Sequence, residues 1–125
     1  MSEPMAIFSC WDIVKVPFPY TDRPVRQRRP AVVIAAGELE EPHGLLWLLM
    51  ITSAENRGWG GDVPVSDLGA AGLPAPSIVR PAKIATVEAD DAAPLGVLAA
   101  SDRNAVALYL RRILAVALDQ SALSS

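Results

Sequence analysis

The chain has 125 residues, 51% of them hydrophobic and 20% charged, with a formal net charge of −3. That length supports a single domain with a real core, the apolar content excludes disorder as the default, and the acidic balance excludes indiscriminate coating of nucleic acid. Cys10 is the only cysteine, so an internal disulfide is excluded and a cytoplasmic setting is expected, with no stretch long enough to span a membrane and no signal-peptide pattern at the N-terminus.

Residues 1–9 have no clear period and read as a tail. In 11–17, WDIVKVP, Val14 and Val16 alternate with polar or turn residues, the period of a half-buried strand. A proline-punctuated loop over 18–28 leads to a second strand over 30–36, where 31–36 is an unbroken apolar run, as in a strand buried on both faces. Arg23, Arg26, Arg28 and Arg29 crowd this loop, and no acid follows Asp22 there. With Lys15 they place five of the eleven cations in the first quarter of the chain. A basic patch on an acidic protein suits selective contact with an anionic partner.

Residues 37–44, GELEEPHG, predict a hairpin-type turn, with glycine at each end and acids and a proline between. LLWLLMIT at 45–52 is the most apolar run and predicts a central strand. SAENRGWGG at 53–61 predicts a mobile glycine-rich loop, and 62–65 a short strand. Two glycines and two prolines in 68–76 exclude a long regular element. Short strands are expected at 77–79 and 83–87, separated by Arg80-Pro81, and EADDAAPLG after them as a turn. Ser101 predicts an N-cap for a helix over 102–118. Val106, Tyr109, Leu110, Ile113, Leu114 and Ala117 form its apolar stripe, with Arg103, Arg111 and Arg112 off it. The expected fold is mostly β with a C-terminal helix: five to seven short strands in one small antiparallel barrel under a helical lid, one domain over 1–125.

His43 is the only histidine, which excludes a nuclease that pairs two imidazoles as acid and base. No His, Cys and carboxylate spacing matches a metal site, Gly58, Gly60 and Gly61 lack the Lys-Ser/Thr of a phosphate loop, and there is no G-x-S-x-G. What remains is arginine, hydroxyl and backbone amide, a set suited to binding a phosphodiester and stabilising charge on it. Three constellations offer those groups. Arg28-Arg29-Pro30 reads either as a guanidinium fixed at a strand entrance or as edge charges that discourage pairing. Ile51-Thr52-Ser53 sets two hydroxyls at the end of the most apolar strand, and Ser77-Ile78-Val79-Arg80 sets another cation in a strand. Trp59 between glycines reads equally as a base-stacking surface or a loop anchor, and Arg57 as a phosphate contact or a bystander.

Taken in order, WDIVKVPFPYTD, RRPAVVIAA, LLMITS and GLPAPSIVRPAKIAT, closed by the amphipathic helix, resemble the PemK/MazF family of toxins from type II toxin–antitoxin pairs. The resemblance implies an SH3-like β-barrel with a C-terminal helix and a homodimer. It also implies metal-independent cleavage of single-stranded RNA such as mRNA at short sequences, with no cofactor. The substrate's own 2′-hydroxyl would attack the adjacent phosphate, leaving a 2′,3′-cyclic phosphate and a 5′-hydroxyl. Carried over residue by residue, it implies Arg29, Thr52 and Arg80 as catalytic, with Ser53 next to Thr52; Arg26, Arg28, Ser53 and Arg57 are the RNA contacts expected beside them. Arginine gives up its proton too reluctantly to be an ordinary acid, so charge stabilisation is the role expected of Arg29. Several members carry an Asp or Glu two positions after the last of these arginines, proposed as base; this chain has Ala82. Either the base comes from elsewhere, or catalysis rests on Arg29 and Thr52 alone, or activity is weak. The implied partner is a cognate antitoxin with an acidic, hydrophobic tail that folds on the toxin. Two rivals are a barrel that only binds RNA or protein, and a gyrase poison of the same fold. The latter acts through an aromatic C-terminal tip, and no aromatic follows Tyr109 here.

Overall fold

The computed structural model describes residues 7–17, 27–56 and 58–119. Arg23, Arg26 and Arg57 lie outside the described residues. The elements are β1 (Asp12–Pro17), β2 (Arg28–Ala35), α1 (Gly37–His43), β3 (Leu45–Ser53), β4 (Val63–Pro64), α2 (Leu68–Ala71), β5 (Ser77–Glu88), β6 (Ala93–Val97) and α3 (Ala100–Leu118), with single 3-10 turns at Ala54–Asn56 and Ala89–Asp91. The strands form one antiparallel half-barrel in the order β4-β5-β3-β2-β1-β6. The expected β-barrel with a C-terminal helix is therefore the observed one.

Alternation sorts the central strands onto two apolar layers. From β3, Leu49 and Ile51 face one layer with Ile13, Val32, Val79, Leu98 and Val106 of α3. Leu46, Leu48 and Met50 face the other, with Phe8, Val14, Val16, Ala31, Val33 and Ala85. Over 48–51 both faces of the strand are covered, which explains the apolar run there, whereas Trp47 is exposed. Leu46, Leu48 and Leu49 are all fully buried, and each such side chain contributes roughly 1.5–3 kcal/mol.

Several elements depart from the sequence reading. Residues 37–44 form α1 rather than a hairpin turn. The Ala36 carbonyl accepts from Leu39 and Glu40 N–H groups, and Gly44 closes the helix at φ 67°, donating to the Glu40 carbonyl at 2.8 Å. Glu40 is buried because its carboxylate accepts from the Ile7 and Phe8 N–H groups at 2.9 and 3.0 Å. The two short strands around Arg80-Pro81 are one strand, β5. Its register jumps from Arg80 opposite Met50 to Ile84 opposite Leu49, so Pro81, Ala82 and Lys83 occupy a bulge where Pro81 owes the ladder no N–H. Residues 93–96, in the acidic segment where the sequence predicts a turn, belong to β6, paired with β1. The cap of α3 is Ala99, without a side-chain bond, so Ser101 lies inside the first turn. Only Val106 of the expected stripe is fully buried: Tyr109 and Leu110 are half-buried, and Ile113 and Leu114 are exposed.

Gly72 is the tightest joint. It ends α2 at φ 72°, and a Cβ there would lie 2.1 Å from the Leu95 carbonyl oxygen of β6. Gly72→Ala is expected to destabilise the fold by about 2–5 kcal/mol, combining left-handed strain with overpacking against backbone. Urea unfolding measures this.

Candidate nucleic-acid interface

β2 and β3 deliver the predicted residues to one end of the sheet. Their ladder pairs Ala31 with Met50 and Val32 with Leu49; continued by two residues, the same register sets Arg29 opposite Thr52. Beyond them opens a cavity of about 450 Å³ lined by Lys15, Arg28, Arg29, Thr52 and Ser53 on one side and the Leu73–Pro76 segment with Leu95 on the other. Four of the candidate site residues thus share one groove.

The polar groups in it are partly pre-engaged. Arg28 Nη2 donates to the carbonyls of Asp91 at 2.8 Å and Lys15 at 3.4 Å, which fixes its guanidinium on the backbone. Arg29, exposed at the start of β2, donates from Nη2 to Gln27 Oε1 at 3.2 Å. Thr52, half-buried, accepts from Asn56 Nδ2 at 3.0 Å. Ser53 Oγ accepts from the Glu55 N–H at 3.3 Å. Among the described residues lining the groove, Lys15, Arg28 and Arg29 are cations and none is a carboxylate or an imidazole.

Arg80 lies outside this lining. It is buried, and its Nε and Nη2 grip the two oxygens of Asp62 at 3.1 and 3.0 Å in a bidentate pair. Nη2 also donates to the Asn56 carbonyl. Trp59, 46% exposed, lies with its ring centroid 4.3 Å from the Arg80 guanidinium carbon. Gly61 then turns at φ 87° against the Tyr109 ring of α3, leaving no room for a Cβ.

The sequence matches the model of the PemK-like, MazF-like toxins of type II toxin–antitoxin systems over residues 9–114. This chain belongs to the PemK/MazF toxin family. Among solved structures, the Mycobacterium tuberculosis toxin MazF-mt6 is 22% identical with a TM-score of 0.64, aligned over 81% of this chain and 93% of that one. MazF (Form-I) from Deinococcus radiodurans is 19% identical, TM-score 0.67, over 92% and 99%. An endoribonuclease in complex with its cognate antitoxin from Mycobacterial species is 15% identical, TM-score 0.62, over 92% and 96%. These likenesses concern the fold. No match was found among curated proteins.

In this PemK/MazF toxin, Ala82 sits exposed in the β5 bulge. Among the described residues no three His, Cys, Asp or Glu side chains come together as a metal site, and no helix is long and apolar enough to cross a membrane. Cys10 is not among the residues lining the groove. Partial burial pushes its thiol pKa up, with Arg103 pulling it partly back. Sequence reasoning missed Asn56 and Asp62. Nothing in their local sequence marks a contact to Thr52 or Arg80, which chain folding alone creates.

Proposed function

We propose that this PemK/MazF toxin is a metal-independent endoribonuclease that cuts single-stranded RNA at short sequences. The observation that carries the reading is the meeting of Arg29 and Thr52 in one cationic groove. In the proposed reaction the 2′-oxygen attacks phosphorus, its proton leaves to water, and the P–O5′ bond breaks as O5′ takes up a proton. The products are a 2′,3′-cyclic phosphate and a 5′-hydroxyl. Arg29 and Thr52 donate to the phosphoryl oxygens, where negative charge accumulates in the transition state. Arg28 and Ser53 hold the strand beside them, and Lys15 adds to the field. No nucleophile from the protein is needed, which suits the donor set.

The toxin acts in the cytoplasm as a homodimer restrained by a cognate antitoxin. The exposed apolar side chains Leu108, Ile113, Leu114 and Val116 of α3 support an association surface of this kind. Arg26 and Arg57 extend the RNA contacts.

The test is incubation of purified, antitoxin-free protein with a long single-stranded RNA in EDTA, with cut ends mapped by primer extension. Discrete cuts bearing 5′-hydroxyls are expected. Absence of cutting by folded protein replaces this reading with a barrel that only binds.

Trp59 contributes to affinity in this scheme, because its indole is supported by Arg80 and nearly half exposed. Trp59→Ala is expected to weaken binding of a non-cleavable RNA by about 1–3 kcal/mol, the range of one base–aromatic stack. Fluorescence anisotropy measures it, and unchanged affinity would leave the indole as a loop anchor.

A further inference from the structure

Asn56 stands between the groove and the Arg80–Asp62 pair. Its side-chain Nδ2 donates to Thr52 Oγ1 at 3.0 Å. Its main-chain carbonyl accepts from Arg80 Nη2, and Arg80 is itself held by both oxygens of Asp62. A threonine hydroxyl has one proton and two acceptor lone pairs. With one lone pair occupied by the amide, the O–H bond must point away from Asn56. Thr52 lines the groove, so a proton turned away from the amide has the groove within its reach.

We infer that Asn56 is a positioning residue, holding the Thr52 hydroxyl as a hydrogen-bond donor toward a bound phosphate. The Arg80–Asp62 pair fixes the Asn56 main chain so that the amide arrives at the right place. An exposed asparagine four residues after the strand-end threonine thereby sets which way one proton faces. The inference rests on the proposed RNA-cleaving reading of the same groove.

Asn56→Asp tests it with almost no change of shape. A carboxylate cannot donate; it accepts the Thr52 proton and turns the hydroxyl out of the groove. A neutral carboxylic acid donates as the amide does. Affinity is measured for an RNA carrying a 2′-deoxy sugar at the cut site, from about pH 8 down toward the carboxyl range near pH 4. Asn56→Asp is expected to bind about tenfold or more weakly at the upper end, the size of one hydrogen bond to a charged group, and to recover as the pH falls. In a Thr52→Val background the same substitution is expected to change nothing. Simple repulsion between the new carboxylate and phosphate would persist there. Wild-type affinity at every pH, or an equal loss in the Thr52→Val background, overturns the inference while wild-type cleavage still stands. A wild-type protein that neither binds nor cuts RNA overturns the proposed function and this inference with it.

Discussion

Arg29→Ala and Thr52→Ala are each expected to lower the rate of metal-independent RNA cleavage by about 10²–10³-fold, the usual effect of losing one donor aimed at developing charge. Both act on the same phosphoryl group, so the double variant is expected to lose less than the product of the two. Both folds should survive. Arg29 is exposed at a strand end, and Thr52 is half-buried with a single described side-chain partner. Circular dichroism melts matching the wild type, together with lost primer-extension stops in EDTA, give the expected result. Full cleavage by either variant removes that residue from the mechanism. Arg29→Lys is a sharper probe: it keeps the charge and loses the fork, so partial activity would assign Arg29 to field rather than geometry.

Arg80→Ala is expected to destabilise the protein by about 3 kcal/mol or more, because Asp62 is left as a nearly buried, unpaired carboxylate. The stack with Trp59 goes with it. Replacing the pair together, as Arg80→Met with Asp62→Leu, should recover most of that loss, since well-packed apolar residues commonly replace a buried ion pair at no cost. Cleavage by the double variant separates two roles. Arg80 spends donors on Asp62 and Asn56 and does not line the groove, so the loss expected is only the indirect one of releasing the Asn56 main chain, about tenfold and well short of that of Arg29→Ala. A stable double variant as inactive as Arg29→Ala would place the guanidinium on the phosphate instead.

The strands and the final helix were legible because their signals are local. Alternation in β1 and the apolar runs of β2 and β3 each express one element's burial, and the 3.6-residue period marks α3 as a helix although only Val106 of its stripe is fully buried. The groups on offer were equally plain: one histidine, one cysteine and a crowd of arginines in the first quarter suit contact with an anionic partner. Where reading failed, a distant contact had overruled the local pattern. Residues 37–44 look like a turn, yet Glu40 is drawn inward by two N–H groups from the N-terminal segment. Pro81 looks like a strand break, yet a bulge in β5 absorbs it.

The sequence by itself determined the barrel-with-helix class, the family and the residue types available to the site, because burial periodicity and side-chain chemistry are properties of short stretches. Only the tertiary structure decided which of those residues meet. The register of β2 on β3 brings Arg29 and Thr52 to one groove across more than twenty residues of chain, whereas Arg80 is held in a bidentate pair with Asp62. Pairing register and ion-pair choice depend on groups far apart in the chain, so no local pattern encodes them.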